Sequence, residues 1–137
     1  MNASCNVSDE PVPPPTILVV EDEILVRMVI AAYLRDCGFD VVEAGNAEEA
    51  VRVLEASIRV DIVFSDINMP GSLDGFGLAQ WLRRERPGLK IILTSGAAQA
   101  VKDASDLCAH VPILAKPYDY AEVARQLRAL LSKNTSP

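Results

Sequence analysis

Short apolar runs alternate with longer stretches of helical periodicity along most of the chain. Thr16-Ile17-Leu18-Val19-Val20 is a continuous β-branched run and predicts a buried strand. From Glu23 to Cys37, Ile24, Val26, Val29, Ile30, Tyr33 and Leu34 recur at helical spacing, and Gly38 predicts the stop. Val41-Val42 gives a second, shorter strand. Asn46 with Glu49 predicts a capping box that opens a helix through about Ala56. Asp61 to Ser65 is a third strand, followed by a loop holding Pro70, Gly71 and Gly75. A helix from Phe76 to Glu85 ends at Pro87-Gly88. Lys90 to Leu93 is a fourth strand, Ala97 to Ala109 a weaker helix, and Pro112 to Ala115 a fifth strand. Asp119 with Glu122 predicts a second capping box, opening a helix through about Leu131.

Five strands alternating with five helices imply right-handed crossovers, hence a parallel sheet covered on both faces. The expected fold is α/β, a flavodoxin-like (βα)5 doubly wound sandwich with a five-stranded parallel sheet in the order 2-1-3-4-5. Outside it, Pro11-Val12-Pro13-Pro14-Pro15 allows neither a helix nor an interior strand. Residues 1–15 are therefore expected to form a disordered proline-rich leader, 16–132 the domain, and 133–137 a C-terminal tail.

Composition narrows the classes. The 137 residues are half hydrophobic, enough for one domain with a proper core and too few for a second of ordinary size. A net charge of -6 argues against a nucleic-acid binder, which needs a basic face. Cys5, Cys37 and Cys108 are odd in number and share no CxxC spacing, so they read as reduced thiols of a cytoplasmic protein. No secretory signal and no apolar run of about 18 residues is present. The lone His110 has no second histidine for a metal cluster or a triad, and reads as structural or surface-exposed.

In a sheet of this order, ligands sit at the carboxyl ends of the strands, near the switch point between strands 1 and 3. Strand 1 ends in Glu21-Asp22-Glu23, strand 3 in Asp66, strand 4 in Thr94 and strand 5 in Lys116. Strand 2, an edge strand, ends in Ala44-Gly45 and carries no such chemistry. Carboxylates held this close repel one another unless a cation intervenes. Hard oxygen donors suit Mg2+ (or Mn2+), which would also let a phosphoryl dianion approach. Asp66 would then be a phosphoryl nucleophile, with the Lys116 ammonium and the Thr94 hydroxyl contacting phosphoryl oxygens.

The set Val20-Glu21-Asp22-Glu23, Asp66-Ile67-Asn68-Met69-Pro70, Thr94-Ser95-Gly96 and Lys116-Pro117 resembles the receiver domain of bacterial two-component response regulators. The resemblance runs from Thr16 to Leu131. It implies that Asp66 is phosphorylated by a histidine kinase or a histidine phosphotransfer protein. It implies a metal held by Asp22, Asp66 and the Asn68 backbone carbonyl, with Glu21 acting mainly through water. Thr94 and Lys116 match the family's switch hydroxyl and phosphate-pairing lysine, and Lys116-Pro117 its cis peptide. The loop Met69 to Gly75 and Thr94-Ser95-Gly96 look like stand-alone receivers of alphaproteobacteria. The expectation is a single-domain, cytoplasmic phosphorelay switch that binds a downstream protein target, with no direct DNA binding and no membrane contact. In the family the first helix commonly docks the phosphodonor. The face made by the fourth helix, fifth strand and fifth helix commonly carries output or homodimer contacts.

One position departs from the pattern. Many receivers carry an aromatic residue three places before the lysine, where this chain has Ile113. Tyr118 lies nearby, either as a substitute or as an anchor for the last helix. Two other readings compete. An aspartyl-phosphate phosphatase of the haloacid dehalogenase kind would need Asp-x-Asp, and Asp66-x-Asn68 lacks its second carboxylate. A degenerate scaffold would not need Glu21, Asp22, Asp66, Thr94 and Lys116 all intact.

Overall fold

The structure, a computed structural model, describes residues 13–96 and 111–134. Five strands form one sheet: β1 (Thr16–Val20), β2 (Asp40–Ala44), β3 (Ile62–Asp66), β4 (Lys90–Ser95) and β5 (Ile113–Ala115). All neighbours are parallel and the order is β2-β1-β3-β4-β5, as the pattern predicted. Four described helices cover it: α1 (Ile24–Asp36), α2 (Ala47–Glu55), α3 (Gly75–Glu85) and α4 (Tyr120–Asn134). The helix expected over Ala97 to Ala109 lies outside the described residues. So do Cys5, Cys108, His110 and residues 1–12 of the expected leader.

The uniform apolar runs of β1 and β3 follow from burial on both sides, since successive side chains point to opposite faces. Ile17, Val19, Ile62, Phe64 and Ile92 join Ile30 and Leu34 of α1 and Val123 and Leu127 of α4 in one core layer. Leu18, Val20, Val63, Ile91 and Leu93 join Ala50 and Leu54 of α2 and Leu78 and Leu82 of α3 in the other. Each fully buried Leu or Ile contributes about 1.5–3 kcal/mol of transfer free energy. Of the apolar positions whose spacing predicted the first helix, Ile30 and Leu34 are buried, whereas Ile24 and Val29 are exposed.

Helix ends mostly follow their local chemistry. Gly38, at φ +98°, lets the Phe39 N–H reach the Leu34 carbonyl at 3.1 Å and its own N–H reach Arg35 at 3.0 Å, closing α1. The Asn46 side chain accepts from the Glu49 N–H at 2.8 Å, and the Glu49 carboxylate returns to the Gly45 N–H at 2.6 Å. Asp74 caps α3 by accepting from the Gly77 N–H at 2.9 Å. The second capping box is not formed as expected. Asp119 accepts from the Ala121 N–H at 2.9 Å, while the Glu122 carboxylate turns forward to Arg125 and Gln126. Nearby donors further along the helix outcompete the reach back to its start. The helix continues to Asn134, three residues past its predicted end.

β3 is framed one residue later than its apolar pattern suggested. Asp61 stays outside it, its carboxylate accepting from the Thr16 N–H at 2.7 Å and pairing with Arg59 at 3.4 Å. The shift brings Asp66 into the ladder as the last residue of its strand.

Candidate functional site

Parallel pairing sets every strand's carboxyl end on one edge of the sheet, and the polar groups gather there. Glu21 follows β1 directly and continues its ladder, its N–H donating to the Ala44 carbonyl at 3.1 Å. Asp66 sits opposite Thr94 in the β3–β4 register, and the Ile67 N–H donates to the Thr94 carbonyl at 2.9 Å. Lys116 follows β5, with its N–H on the Ser95 carbonyl at 2.7 Å. Adjacent strands thus place side chains within reach although they are far apart in sequence.

One carboxylate oxygen from each of Glu21, Asp22 and Asp66 lies within 4.8 Å of the others. Asp66 is 7% exposed and Glu21 4%, while Asp22 faces solvent. The Lys116 ammonium lies 3.2 Å from Asp66 and 3.5 Å from Glu21, so one cation serves two carboxylates. Burial pushes the Asp66 carboxyl above its ordinary value, opposed by Lys116 and by the Asn68 backbone N–H and reinforced by Asp22. Burial likewise raises Glu21, with the Glu23 N–H opposing it and the Asp66 charge adding to it. For Lys116, burial works against the charged form, yet Asp66 and Glu21 together hold the ammonium above its usual value.

Three carboxylates against one ammonium leave an excess of negative charge in a partly dry pocket. Hard, closely spaced oxygens of this kind fit a small divalent cation that keeps part of its water shell. The same excess would repel a phosphate dianion if no cation were present.

The loop after Asp66 is built by contacts that no local sequence pattern announced. A Cβ on Gly75 would stand 2.5 Å from the Asp66 carbonyl oxygen and 2.6 Å from the Ile67 Cα. Only glycine lets α3 begin against the end of β3, where the Gly75 N–H donates to the Ile67 carbonyl at 2.9 Å. Gly71, at φ +109°, turns the chain so that the Ser72 N–H and hydroxyl both donate to the Glu48 carboxylate, at 2.9 and 2.7 Å. Those bonds, the hydroxyl's first, hold Glu48 below the usual carboxylate range.

Of the residues singled out by sequence, Glu21, Asp22, Asp66 and Lys116 come together. Thr94 is buried beside Asp66 on the neighbouring strand, and the exposed Asn68 approaches Asp66 through its backbone. The Lys116–Pro117 peptide is cis. Ile113 packs with the α2–α3 layer, whereas Tyr118 belongs to the α1–α4 layer. The Tyr118 ring meets Phe64 edge-on at 5.6 Å and touches Tyr120, which in turn meets Tyr33 of α1 at 5.4 Å. Directly after the acidic segment, Ile24, Leu25, Met28 and Val29 expose an apolar surface on the first half of α1; Leu25 is 75% exposed.

The profile of the response regulator receiver domain matches residues 17–128. The chain is 37% identical over 120 residues to the sensor kinase CckA of Brucella abortus, covering 86% of this chain and 13% of the kinase. It is 33% identical over 122 residues to the probable transcriptional regulatory protein TcrX of Mycobacterium tuberculosis, covering 88% of this chain and 51% of that regulator. The chain thus spans about half the length of such regulators and a small part of the kinase. A receiver protein of Sinorhizobium medicae superposes with a TM-score of 0.80 at 29% identity, covering 88% of this chain and 97% of that one. The response regulator TrrA of Thermotoga maritima, solved in complex with Mg2+-BeF, superposes with a TM-score of 0.75 at 29% identity, over 85% and 98% of the two chains. Among the described residues, no helix is long and apolar enough to cross a membrane.

Proposed function

The chain belongs to the receiver domain family of response regulators, the phosphoacceptor switches of two-component signalling, and on that footing we propose that Asp66 accepts a phosphoryl group from a histidine donor in a Mg2+-dependent reaction. The observation that supports this most is the Glu21–Asp22–Asp66 cluster with Lys116 3.2 Å from Asp66. Glu21, Asp22, Asp66 and the Asn68 carbonyl would hold the metal. When bound, the metal neutralises carboxylate charge and charge developing on the phosphoryl oxygens.

The protein's own groups do the rest. An Asp66 carboxylate oxygen attacks phosphorus while the bond from phosphorus to the donor's imidazole nitrogen breaks, and that nitrogen leaves with the electron pair. Lys116, already aimed at Asp66, moves its charge onto a phosphoryl oxygen, and the Thr94 hydroxyl donates to another. Catalysis by this site is positioning and charge neutralisation, the logic of phosphoryl transfer generally. Hydrolysis of the acyl phosphate then resets the switch. The exposed apolar surface of α1 beside the pocket is the docking face for the kinase or phosphotransfer helix. Output is a phosphorylation-dependent protein contact, a population shift driven by a coupling of about 1–3 kcal/mol.

The test is to incubate the protein with acetyl phosphate, with and without Mg2+, and to compare it with Asp66→Asn by intact mass. One phosphoryl adduct that needs both Mg2+ and Asp66 is expected. An adduct that persists in Asp66→Asn, or none on wild type with Mg2+, refutes the proposal. Sustained turnover of phosphate esters would favour an enzyme instead.

A further inference from the structure

Arg27 reads in the sequence as one more charged position on a helix, yet its side chain is only 19% exposed and it grips the acidic segment. Its Nη1 donates to the Glu21 backbone carbonyl at 2.9 Å, and its Nε donates to the Glu43 carboxylate of β2 at 3.2 Å. The other Glu43 oxygen accepts from Arg35, about two turns further along the same side of α1, at 3.2 Å. A Cβ on Gly45 would lie 3.2 Å from Arg27 Nη1, so the bare backbone there leaves the guanidinium its place.

The segment Glu21-Asp22-Glu23 is thereby fixed from several sides. Its first N–H is held by Ala44 of β2, its first carbonyl by Arg27, and the Glu21 carboxylate by the Glu23 N–H at 3.2 Å. The Glu23 carbonyl in turn accepts from the Arg27 N–H at 2.9 Å, so both ends of the residue tie into the same turn. Lys116 reaches the Glu21 carboxylate from the far side of the sheet, whereas Arg27, anchored on Glu43 of β2, holds the backbone of the acidic turn itself.

We propose that Arg27, oriented by Glu43, is a positioning residue that sets the aim of the Glu21 and Asp22 carboxylates and so the divalent-cation affinity of the pocket. The inference rests on the metal site proposed above. A guanidinium near a cation site disfavours the cation by charge alone, so deleting it would tighten Mg2+ binding if charge were its only influence. If it acts by positioning, deletion loosens binding instead.

The experiment is Mg2+ titration calorimetry on metal-free wild type, Arg27→Met, Arg27→Lys and Glu43→Gln, with amide hydrogen exchange measured without metal. Arg27→Met should weaken Mg2+ about three- to tenfold, the size of one ordinary net hydrogen bond, since the carboxylates lose their aim and not a direct contact to the metal. Arg27→Lys, which keeps the charge and loses the fork, should also weaken it. Glu43→Gln, which keeps an acceptor, should stay near wild type. Exchange at the Asp22 and Glu23 amides should quicken in Arg27→Met. Mg2+ binding as tight as wild type or tighter in Arg27→Met overturns the proposal. If wild type takes no Mg2+, the metal reading fails, and unchanged exchange at Asp22 and Glu23 would then overturn the positioning role by itself. Should Arg27→Met not fold, Arg27→Lys carries both arms.

Discussion

Replacing Asp66 with Asn should make the metal-free protein more stable while abolishing its function. One carboxylate oxygen from each of Glu21, Asp22 and Asp66 stands within 4.8 Å of the other two, and Lys116 lies 3.2 Å from Asp66. At an effective dielectric near 20, each carboxylate repulsion is worth about 3.5 kcal/mol and the lysine attraction about 5 kcal/mol. Asp66 therefore feels two repulsions against one attraction, and burial adds a further cost to its charge. Solvent at Asp22 and at the 27%-exposed Lys116 side chain screens these figures, leaving a net of about 1 kcal/mol that the amide relieves. For a chain of this size that raises Tm by about 3–5 °C. The pH dependence has a matching sign. The folded state raises Asp66 and Glu21, so between their unfolded and folded values the native protein binds more protons, and stability falls as pH rises. Calorimetric melts in EDTA should show that fall in wild type and a shallower one in Asp66→Asn. Saturating Mg2+ at about 100 Kd should then stabilise wild type by about 2.7 kcal/mol and the variant by much less. A lower Tm for Asp66→Asn in EDTA, or an equal gain from Mg2+ in both, would refute the electrostatic account.

Charging the apolar face of α1 with Leu25→Glu and Met28→Glu should slow phosphotransfer from a histidine donor tenfold or more, since buried apolar anchors dominate such contacts. Labelling by acetyl phosphate should not change, because the small donor needs no docking face; equal losses with both donors would contradict that division. Lys116→Ala should keep Mg2+ binding or tighten it, since a competing cation leaves the carboxylates, but confine beryllofluoride-induced amide shifts to the pocket. A wild-type pattern of shifts across the sheet would show that the lysine does not couple the site to the fold.

The fold and the centre of the site were legible because both follow from short-range patterns and one topological rule. Runs such as Thr16–Val20 fix strands, the alternation with helices fixes a parallel sheet, and a parallel sheet brings Glu21, Asp66, Thr94 and Lys116 to one edge. What stayed hidden depends on side chains meeting across distance. Arg27 gave no sign of holding the Glu21 carbonyl, because a guanidinium on a helix looks the same whether solvated or aimed. Glu48 and Ser72 are 24 residues apart, and nothing in either tripeptide announces their bond. Ile24 and Val29 fit a helical period, yet the sheet reaches only the later turns of α1, so they remain in solvent.

The position of Tyr118 decides between its two sequence readings. Ile113 is the last-strand residue that shares the core layer of α2 and α3, and an aromatic ring there would move on that side of the sheet. Tyr118 lies in the opposite layer, edge-on to Phe64, which precedes Asp66 by two residues on the same strand and so faces the same side. Rotation of the Tyr118 ring cannot fill or vacate the space beside Ile113, because the sheet stands between them. It is an anchor, joining α4 to β3 and, through Tyr120 and Tyr33, to α1. Any consequence of charge at Asp66 that reaches Tyr118 is therefore delivered to the α1–α4 seam. That seam includes α1, whose first half carries the exposed apolar surface, so the aromatic contacts run from the strand that ends in Asp66 to that helix.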